Sequence, residues 1–217
     1  MKQEIIKEAL KLLKLTEKRN PGLKGYEIDS FNVNDCEGFI AKKDNWLCVA
    51  FKATDSLKDA VHDLMAMKTF FHGLKVHRGF EHYYSKVEFL IGNQIGMDNT
   101  IENILICGHS MGAAIATLCA YDLMMCFENI NIYCITTGSP RVGSWKFSKA
   151  FNKVFKDTSF RLKNGNDIVS QVPPWFFLYK HVGIKKQIGN WKWWRFWGSV
   201  KDHDLDEYIR EYNKLNI

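Results

Sequence analysis

The sequence lacks the features that would place it among membrane-spanning, repeat or low-complexity proteins. No apolar run in its 217 residues is long enough to cross a bilayer. It has no internal repeat and no long linker rich in Gly, Ser or Pro. With 46% hydrophobic and 25% charged residues, the composition is that of a globular protein. We therefore expect residues 1–217 to form a single domain that buries roughly 70% of its unfolded surface.

Signs of secretion and of metal binding are also missing. Six cysteines are present, but none has a CxxC or Cys/His spacing typical of zinc. Those in predicted strands or in a predicted helix are expected to be buried free thiols, namely Cys48, Cys107, Cys119, Cys126 and Cys134. There is no Asn-x-Ser/Thr sequon, and the N-terminal segment lacks the uninterrupted apolar core of a signal peptide. We expect an intracellular, cytoplasmic protein without metal or cofactor.

The charge is modest. A net charge of +6 and a pI near 8.9 come mostly from scattered lysines. Binding to nucleic acid would need a basic stripe with stacking or base-reading modules, and none is recognisable. An anionic membrane surface suits this charge better. We expect a monomer that binds no nucleic acid.

Hydrophobic periodicity predicts strands that alternate with helices. Helices are predicted at about 2–18, 80–95, 113–118 and onward, 145–155 and 204–214. Strands are predicted at 38–41, 46–51, 104–107, 130–136, 159–162 and 176–182. This alternation predicts an α/β fold, in which a mostly parallel central sheet has helices on both faces. The first two strands form a hairpin and predict an antiparallel edge. The first helix is amphipathic and is expected to pack against the domain.

The most informative motif is Gly-x-Ser-x-Gly at 108–112. It follows an apolar strand and leads directly into a helix, which is the setting of a nucleophile elbow. The tight turn would expose the hydroxyl of Ser110. The backbone N–H of Met111, at the start of the helix, would point toward a developing oxyanion. His109 is expected to point away from the site, because it neighbours Ser110 on the turn.

A serine nucleophile needs a base, and the base needs an acid that orients it. In α/β-hydrolases the order along the chain is Ser, acid, His. Asp167 follows a predicted strand and a Gly-bearing turn, and His203 lies in a polar loop before the last helix. His203 is preferred to His181, which lies in a predicted strand. The alternatives are a turn aspartate that caps its own backbone and a surface histidine near a helix N-cap.

Several blocks in the same order resemble the class 3 lipase family, the fungal-lipase-like α/β-hydrolases. They are Phe51–Ser56, His77–Phe80, Gly108–Gly112, Thr137–Gly143, Asn166–Val169 with Val172–Pro174, and Asp202-His203. The resemblance runs from about Gly38 to Tyr208 and implies an α/β-hydrolase fold. It also implies hydrolysis of lipid esters such as acylglycerols or phospholipids through an acyl-enzyme, without a cofactor.

The resemblance implies a role for Thr54, whose N–H and hydroxyl would complete the oxyanion hole beside Met111. The block that carries Thr54 departs from the family, because Lys52-Ala53 stands where the family has Arg-Gly. This departure keeps open a non-catalytic binding protein built on a lipase scaffold. A lipid acyltransferase is a further alternative.

Two aromatic segments flank the predicted acid and histidine. They are residues 173–179 and the Trp-rich tail, residues 191–197. Their aromatic side chains either pack against the sheet or form a rim that contacts a lipid surface, with Lys192 and Arg195 on the phosphates. In the second case the protein associates transiently with membranes.

Overall fold

The computed structural model describes residues 2–53, 67–193 and 198–215. Its strands are β1 (Glu27–Val33), β2 (Cys36–Lys43), β3 (Trp46–Phe51), β4 (Lys68–Phe71), β5 (Leu74–His77), β6 (Asn103–His109), β7 (Asn131–Thr137), β8 (Gly143–Ser144), β9 (Ser159–Asn164), β10 (Tyr179–Lys180) and β11 (Ile184–Ile188). Its helices are α1 (Lys2–Leu15), α2 (Arg78–Ser85), α3 (Glu88–Gly96), α4 (Met111–Cys126), α5 (Trp145–Val154) and α6 (Leu205–Lys214).

Seven of the strands form the central sheet, in the order β1-β2-β3-β6-β7-β9-β11. The pairs from β3 to β11 are parallel, whereas β1, β2 and β3 pair in antiparallel fashion. The predicted α/β class is therefore confirmed, including its antiparallel edge. Because the carboxyl ends of parallel strands lie at one edge of a sheet, the loops after β6, β7 and β9 come together there.

Each face of the central sheet is covered by helices. Successive strand residues point to opposite faces, so Ile104 and Ile106 join the core beneath α2 to α5, while Leu105 and Cys107 join the core beneath α1 and α6. In α1 the apolar residues recur at helical spacing, and seven of them are buried. The N-terminal helix thus packs against the sheet, as its periodicity predicts.

Some elements differ from the prediction. The helix expected at 80–95 is two helices, α2 and α3, and the strand expected at 176–182 is a 3₁₀ turn, Trp175–Phe177, followed by the two-residue β10. Strand β1, strand β11 and the small antiparallel sheet β10-β8-β5-β4 were not expected. These strands are short or lie at edges, and β1 and β11 each bury a single residue, so they lack the apolar signal of a buried strand.

Within the described chain, no helix combines the length and the apolar content needed to cross a membrane. The six cysteines are free thiols, and five of them are buried. Cys126 is the exposed one, because it lies at the end of α4.

The packing of α1 can be tested at Leu12, which is completely buried. Replacing Leu12 with Ala should lower the free energy of unfolding by about 2–5 kcal/mol, because the substitution leaves a cavity between helix and sheet. Urea denaturation measures this loss. The neighbouring Lys11→Ala variant is the control, since Lys11 is exposed. Equal stability of the two variants would contradict the packing of α1.

Candidate active site

Ser110 lies on a strained turn between β6 and α4. Its backbone has φ 58° and ψ −126°, in a region that residues other than glycine rarely occupy. The strain is supported by hydrogen bonds, because the N–H of Ser110 donates to the carbonyl of Thr137 at 3.0 Å and the N–H of Ala113 donates to the carbonyl of Ser110 at 3.0 Å. The chain thus makes the sharp turn that the Gly-x-Ser-x-Gly pattern predicts.

The two glycines of the motif allow strands and helix to approach each other. A Cβ on Gly108 would overlap the backbone carbonyl of Gly112. A Cβ on Gly112 would lie 2.7 Å from the carbonyl oxygens of Phe51 and Lys52, at the end of β3. Glycine is required at both positions for this steric reason.

Of the two predicted oxyanion-hole residues, Met111 lies among the described residues. Met111 is the first residue of the 16-residue helix α4, where backbone N–H groups and the helix dipole favour a negative charge. Thr54, the other predicted donor, lies outside the described residues. The roles of Met111 and Thr54 stay predictions.

Asp167 and His203 form a buried pair. Nδ1 of His203 lies 2.9 Å from Oδ1 of Asp167, and both side chains are almost completely buried. A carboxylate only accepts, so Nδ1 is the donor, and in a neutral imidazole the lone pair is then on Nε2. This Nε2 is also buried and has no hydrogen-bond partner among the described residues. The pair thus presents the nitrogen that a serine hydroxyl needs as its base.

The loop after β7 links Ser110 to this pair. Thr137 accepts the N–H of Ser110, and the next residue, Gly138, has φ +60°. A Cβ on Gly138 would lie 2.7 Å from Cε1 of His203 and 3.1 Å from Oδ2 of Asp167. The structure therefore places the backbone of Ser110, through Thr137, near the Asp167–His203 pair, and Gly138 leaves room for the imidazole.

Two further donors form hydrogen bonds to the carboxylate oxygens of Asp167. The hydroxyl of Tyr208 donates to Oδ2 at 2.6 Å, and the N–H of Val169 donates to Oδ1 at 2.8 Å. Burial and the adjacent Asp167 raise the pKa of Tyr208 well above its usual value, so its hydroxyl remains a donor. Sequence reasoning missed Tyr208, because its spacing on α6 is that of an ordinary core residue.

The expectation that His109 points away from the site is wrong. Its ring stacks on that of His203, with centroids 4.6 Å apart, and Nδ1 lies 2.9 Å from the hydroxyl of Thr137. Because successive strand residues point to opposite faces, His109 at the end of β6 faces the same side as Leu105 and Cys107, the side covered by α6. Burial, together with the neighbouring His203, lowers the pKa of His109 well below its usual value. A neutral ring therefore supports the imidazole of His203.

His181, the alternative base, lies elsewhere. Its Nε2 is 2.9 Å from the carbonyl of Ser170, and burial lowers its pKa well below the usual value, an effect that Arg161 and Arg141 increase. The residue follows the short strand β10 rather than lying within a longer strand. Asp167 is thus paired with His203 and not with His181.

A strained serine at a strand-to-helix turn, followed in the chain by a buried Asp–His pair on a mostly parallel sheet, defines an α/β-hydrolase. The family model for Lipase (class 3) matches residues 48–177, more than half of the sequence. The chain belongs to the class 3 lipase family, as its motifs indicate.

Individual proteins show the same relationship. A lipase from Rhizomucor miehei is 29% identical over 165 residues, 70% of this chain and 44% of that protein. Phospholipase A(1) DAD1 from Arabidopsis thaliana is 40% identical over 72 residues, 33% of this chain and 16% of that protein. The chain thus spans less than half the length of these curated relatives.

Solved structures agree on the fold. Lipase II from Rhizopus niveus superposes with a TM-score of 0.74 at 25% identity, covering 86% of this chain and 80% of that one. A triacylglycerol lipase described as having a serine protease triad as its catalytic centre superposes with a TM-score of 0.78. The latter is 22% identical and covers 92% of both chains, a likeness that concerns the fold alone.

The role of Gly138 can be tested with a Gly138→Ala variant. The added methyl group would displace the imidazole of His203, so we expect phosphonylation of Ser110 by a fluorophosphonate to slow by about 100-fold. Time-resolved labelling measures the rate. Gly92→Ala is a matched control, because a Cβ at Gly92 meets no atom within 4 Å. Unchanged labelling of folded Gly138→Ala would contradict this assignment.

The buried state of His109 predicts a dependence of stability on pH. Its pKa is lowered in the folded protein and is about 6.5 in the unfolded chain. Below about pH 6.5 the unfolded chain therefore binds a proton that the folded protein excludes. His109 should thus lower the free energy of unfolding by about 1.4 kcal/mol per pH unit as the pH falls toward the folded pKa.

Urea denaturation between about pH 5 and 7.5 would measure this contribution. The His109→Gln variant should lose it and show a shallower pH dependence than the wild type. His82→Gln, at an exposed position on α2, should keep the wild-type slope. Identical slopes for wild type and His109→Gln would show that His109 is not buried as a neutral ring.

Proposed function

We propose that the protein is a serine hydrolase that cleaves carboxylic acyl esters of lipids, acylglycerols or phospholipids. The observation that carries the proposal is the buried Asp167–His203 pair, whose Nε2 has no partner among the described residues, beside the strained Ser110. Membership of the class 3 lipase family supports the choice of lipid esters. The relatives named lipase and phospholipase A1 support the same substrate class.

In the proposed mechanism, Oγ of Ser110 attacks the ester carbonyl while Nε2 of His203 takes the hydroxyl proton. The N–H of Met111 and the donors of Thr54 stabilise the oxyanion. The ester C–O bond then breaks, His203 gives the proton to the leaving alcohol, and an acyl-enzyme remains. Water, deprotonated by the same imidazole, releases the acid and restores Ser110.

Asp167 holds the tautomer of His203 and stabilises the imidazolium during both steps. Its own position is maintained by Tyr208 and by the N–H of Val169. The stacked ring of His109 restricts rotation of the His203 imidazole. The imidazole that takes the proton is thus oriented before a substrate binds.

The Trp-rich tail has the composition of a segment that contacts a membrane. Trp191 and Trp193 are largely exposed, and residues 194–197 lie outside the described part of the chain. Exposed tryptophans beside basic residues suit a lipid–water interface, so we propose transient membrane contact there. A monomeric state and an intracellular location stay predictions.

Substitution of the three proposed catalytic residues tests the reaction. Ser110→Ala should abolish both fluorophosphonate labelling and hydrolysis of a soluble nitrophenyl ester, and Asp167→Asn should lower kcat by about 10⁴-fold. Ser85→Ala and Asp157→Asn, at exposed positions, should behave like the wild type. Absence of wild-type labelling, or labelling that persists in Ser110→Ala, would favour a binding protein on a lipase scaffold.

Product analysis with a competing alcohol separates hydrolysis from acyl transfer. We expect free fatty acid to be the main product in water from acylglycerols or phosphatidylcholine. Preferential formation of a new ester at low alcohol concentration would instead identify an acyltransferase. Comparing esters of graded chain length below and above the micellar threshold would then show whether the enzyme prefers aggregated lipid.

A further inference from the structure

Four consecutive large apolar residues face solvent in the turn that precedes β10. The exposed fractions of Trp175, Phe176, Phe177 and Leu178 are 69%, 61%, 47% and 72%. Leu178 ends the 3₁₀ turn with φ 62°, which is unusual for a bulky residue. The turn thus holds these side chains outward, although burial would be the usual fate of such residues.

Strand β4, at the opposite edge of the small sheet from β10, is linked to this turn by side-chain hydrogen bonds. Nζ of Lys68 donates to the carbonyl of Phe177 at 2.7 Å, and the hydroxyl of Tyr179 donates to the carbonyl of Met67 at 3.1 Å. Met67 and Phe70 are themselves exposed by 50% and 68%. We use the name docking patch for Met67, Phe70 and Trp175–Leu178. Large exposed apolar patches on soluble proteins mark sites of interaction.

The cations around the docking patch are three lysines and Arg78, which is exposed and whose N–H donates to the carbonyl of Met67. Nζ of Lys75 lies 5.6 Å from the ring centroid of Phe70, and Nζ of Lys68 lies 4.4 Å from that of Tyr179. Lys180 is exposed directly after the turn. Burial, with repulsion from Lys75, lowers the pKa of Lys68. The lysines thus create a positive potential around the aromatic side chains.

The sequence segments that contain or adjoin the docking patch also carry a net positive charge. There is no Asp or Glu in residues 67–80 or 168–201. Residues 129–201 contain 13 of the 30 Lys and Arg residues but 2 of the 24 Asp and Glu residues. This third of the chain therefore has a formal charge of +11, and the rest has −5, so the lysines are not evenly scattered.

This composition fits a lipid surface better than a protein partner. Protein interfaces favour Arg and are depleted of Lys, whereas three of the four cations named here are lysines, Lys68, Lys75 and Lys180. Tryptophan and phenylalanine insert at the boundary between headgroups and acyl chains, and flanking lysines bind anionic headgroups.

The docking patch is connected to the candidate active site. The N–H of Arg141 donates to the carbonyl of Val172, and Nη1 of Arg141 donates to that of Pro173 at 2.8 Å. Arg141 lies three residues after Gly138, which contacts His203. The segment that leads to Trp175 is thus hydrogen-bonded to the loop that contains Gly138.

We propose that the docking patch binds the protein to bilayers that contain anionic phospholipid. This surface shares no residue with the Trp-rich tail and acts before hydrolysis, so its binding can be measured without any reaction. Docking would bring the site close to ester bonds at the membrane surface.

Vesicle co-sedimentation in a Ser110→Ala background tests the proposal while preventing hydrolysis. Partition to vesicles of phosphatidylcholine with about 30% phosphatidylglycerol should exceed partition to phosphatidylcholine alone, and salt should weaken it. Replacing both Trp175 and Phe176 with Ser should lower partition by at least about tenfold. Lys75→Gln and Lys180→Gln should each lower it by about fivefold on anionic vesicles only.

Phe89→Ser and Lys11→Gln are matched controls, because both residues are exposed on helices outside the patch. They should leave partition unchanged, and circular dichroism should show that every variant folds. Equal binding to both vesicle types, or loss of binding in Trp191→Ser but not in the patch variants, would overturn the proposal. Absence of binding to either vesicle would also overturn it and would favour a protein partner.

The same patch substitutions with Ser110 retained distinguish this inference from the proposed function. Hydrolysis of a soluble nitrophenyl ester should be unchanged, whereas hydrolysis of anionic vesicles should fall with partition. A protein that binds vesicles but hydrolyses no ester would contradict the proposed function alone. A protein that hydrolyses soluble esters but partitions equally to anionic and zwitterionic vesicles would contradict the docking inference alone.

Discussion

The carboxylate of Asp167 is completely removed from water, and such a group is tolerated only where hydrogen bonds replace its lost hydration. Three donors do so, from Val169, Tyr208 and His203. They come from the loop after β9, from α6 and from the turn that precedes α6. Satisfying one buried carboxylate therefore fixes the position of the last helix and the tautomer of His203 together.

A second constraint is steric and centres on the strand-to-helix turn. Ser110 keeps its strained backbone because Thr137 accepts its N–H and because Gly108 and Gly112 leave no side chain in the way. Gly138 extends the same arrangement to the imidazole. Each of the three glycines is thus needed at a point of close contact, because a side chain there would overlap neighbouring atoms.

Local patterns predicted the parts of the fold that have strong periodicity. The buried strands β3, β6 and β7 contain continuous apolar runs, β9 alternates apolar with polar residues, and α1 and α5 have apolar residues at helical spacing. Strand β11 pairs along one edge and is mostly exposed, so its sequence has no such signal. The small sheet is likewise held by pairing between distant segments, which periodicity does not reveal.

For the site, residue types and their order along the chain sufficed to select Ser110, Asp167 and His203. The glycines that flank Ser110 and the α/β-hydrolase order of nucleophile, acid and base are both features of the sequence. The stacking of His109, the hydrogen bond from Tyr208 and the close approach of Gly138 were settled by the tertiary structure. Those contacts join segments far apart in the chain, and their geometry depends on how the helices pack across the sheet.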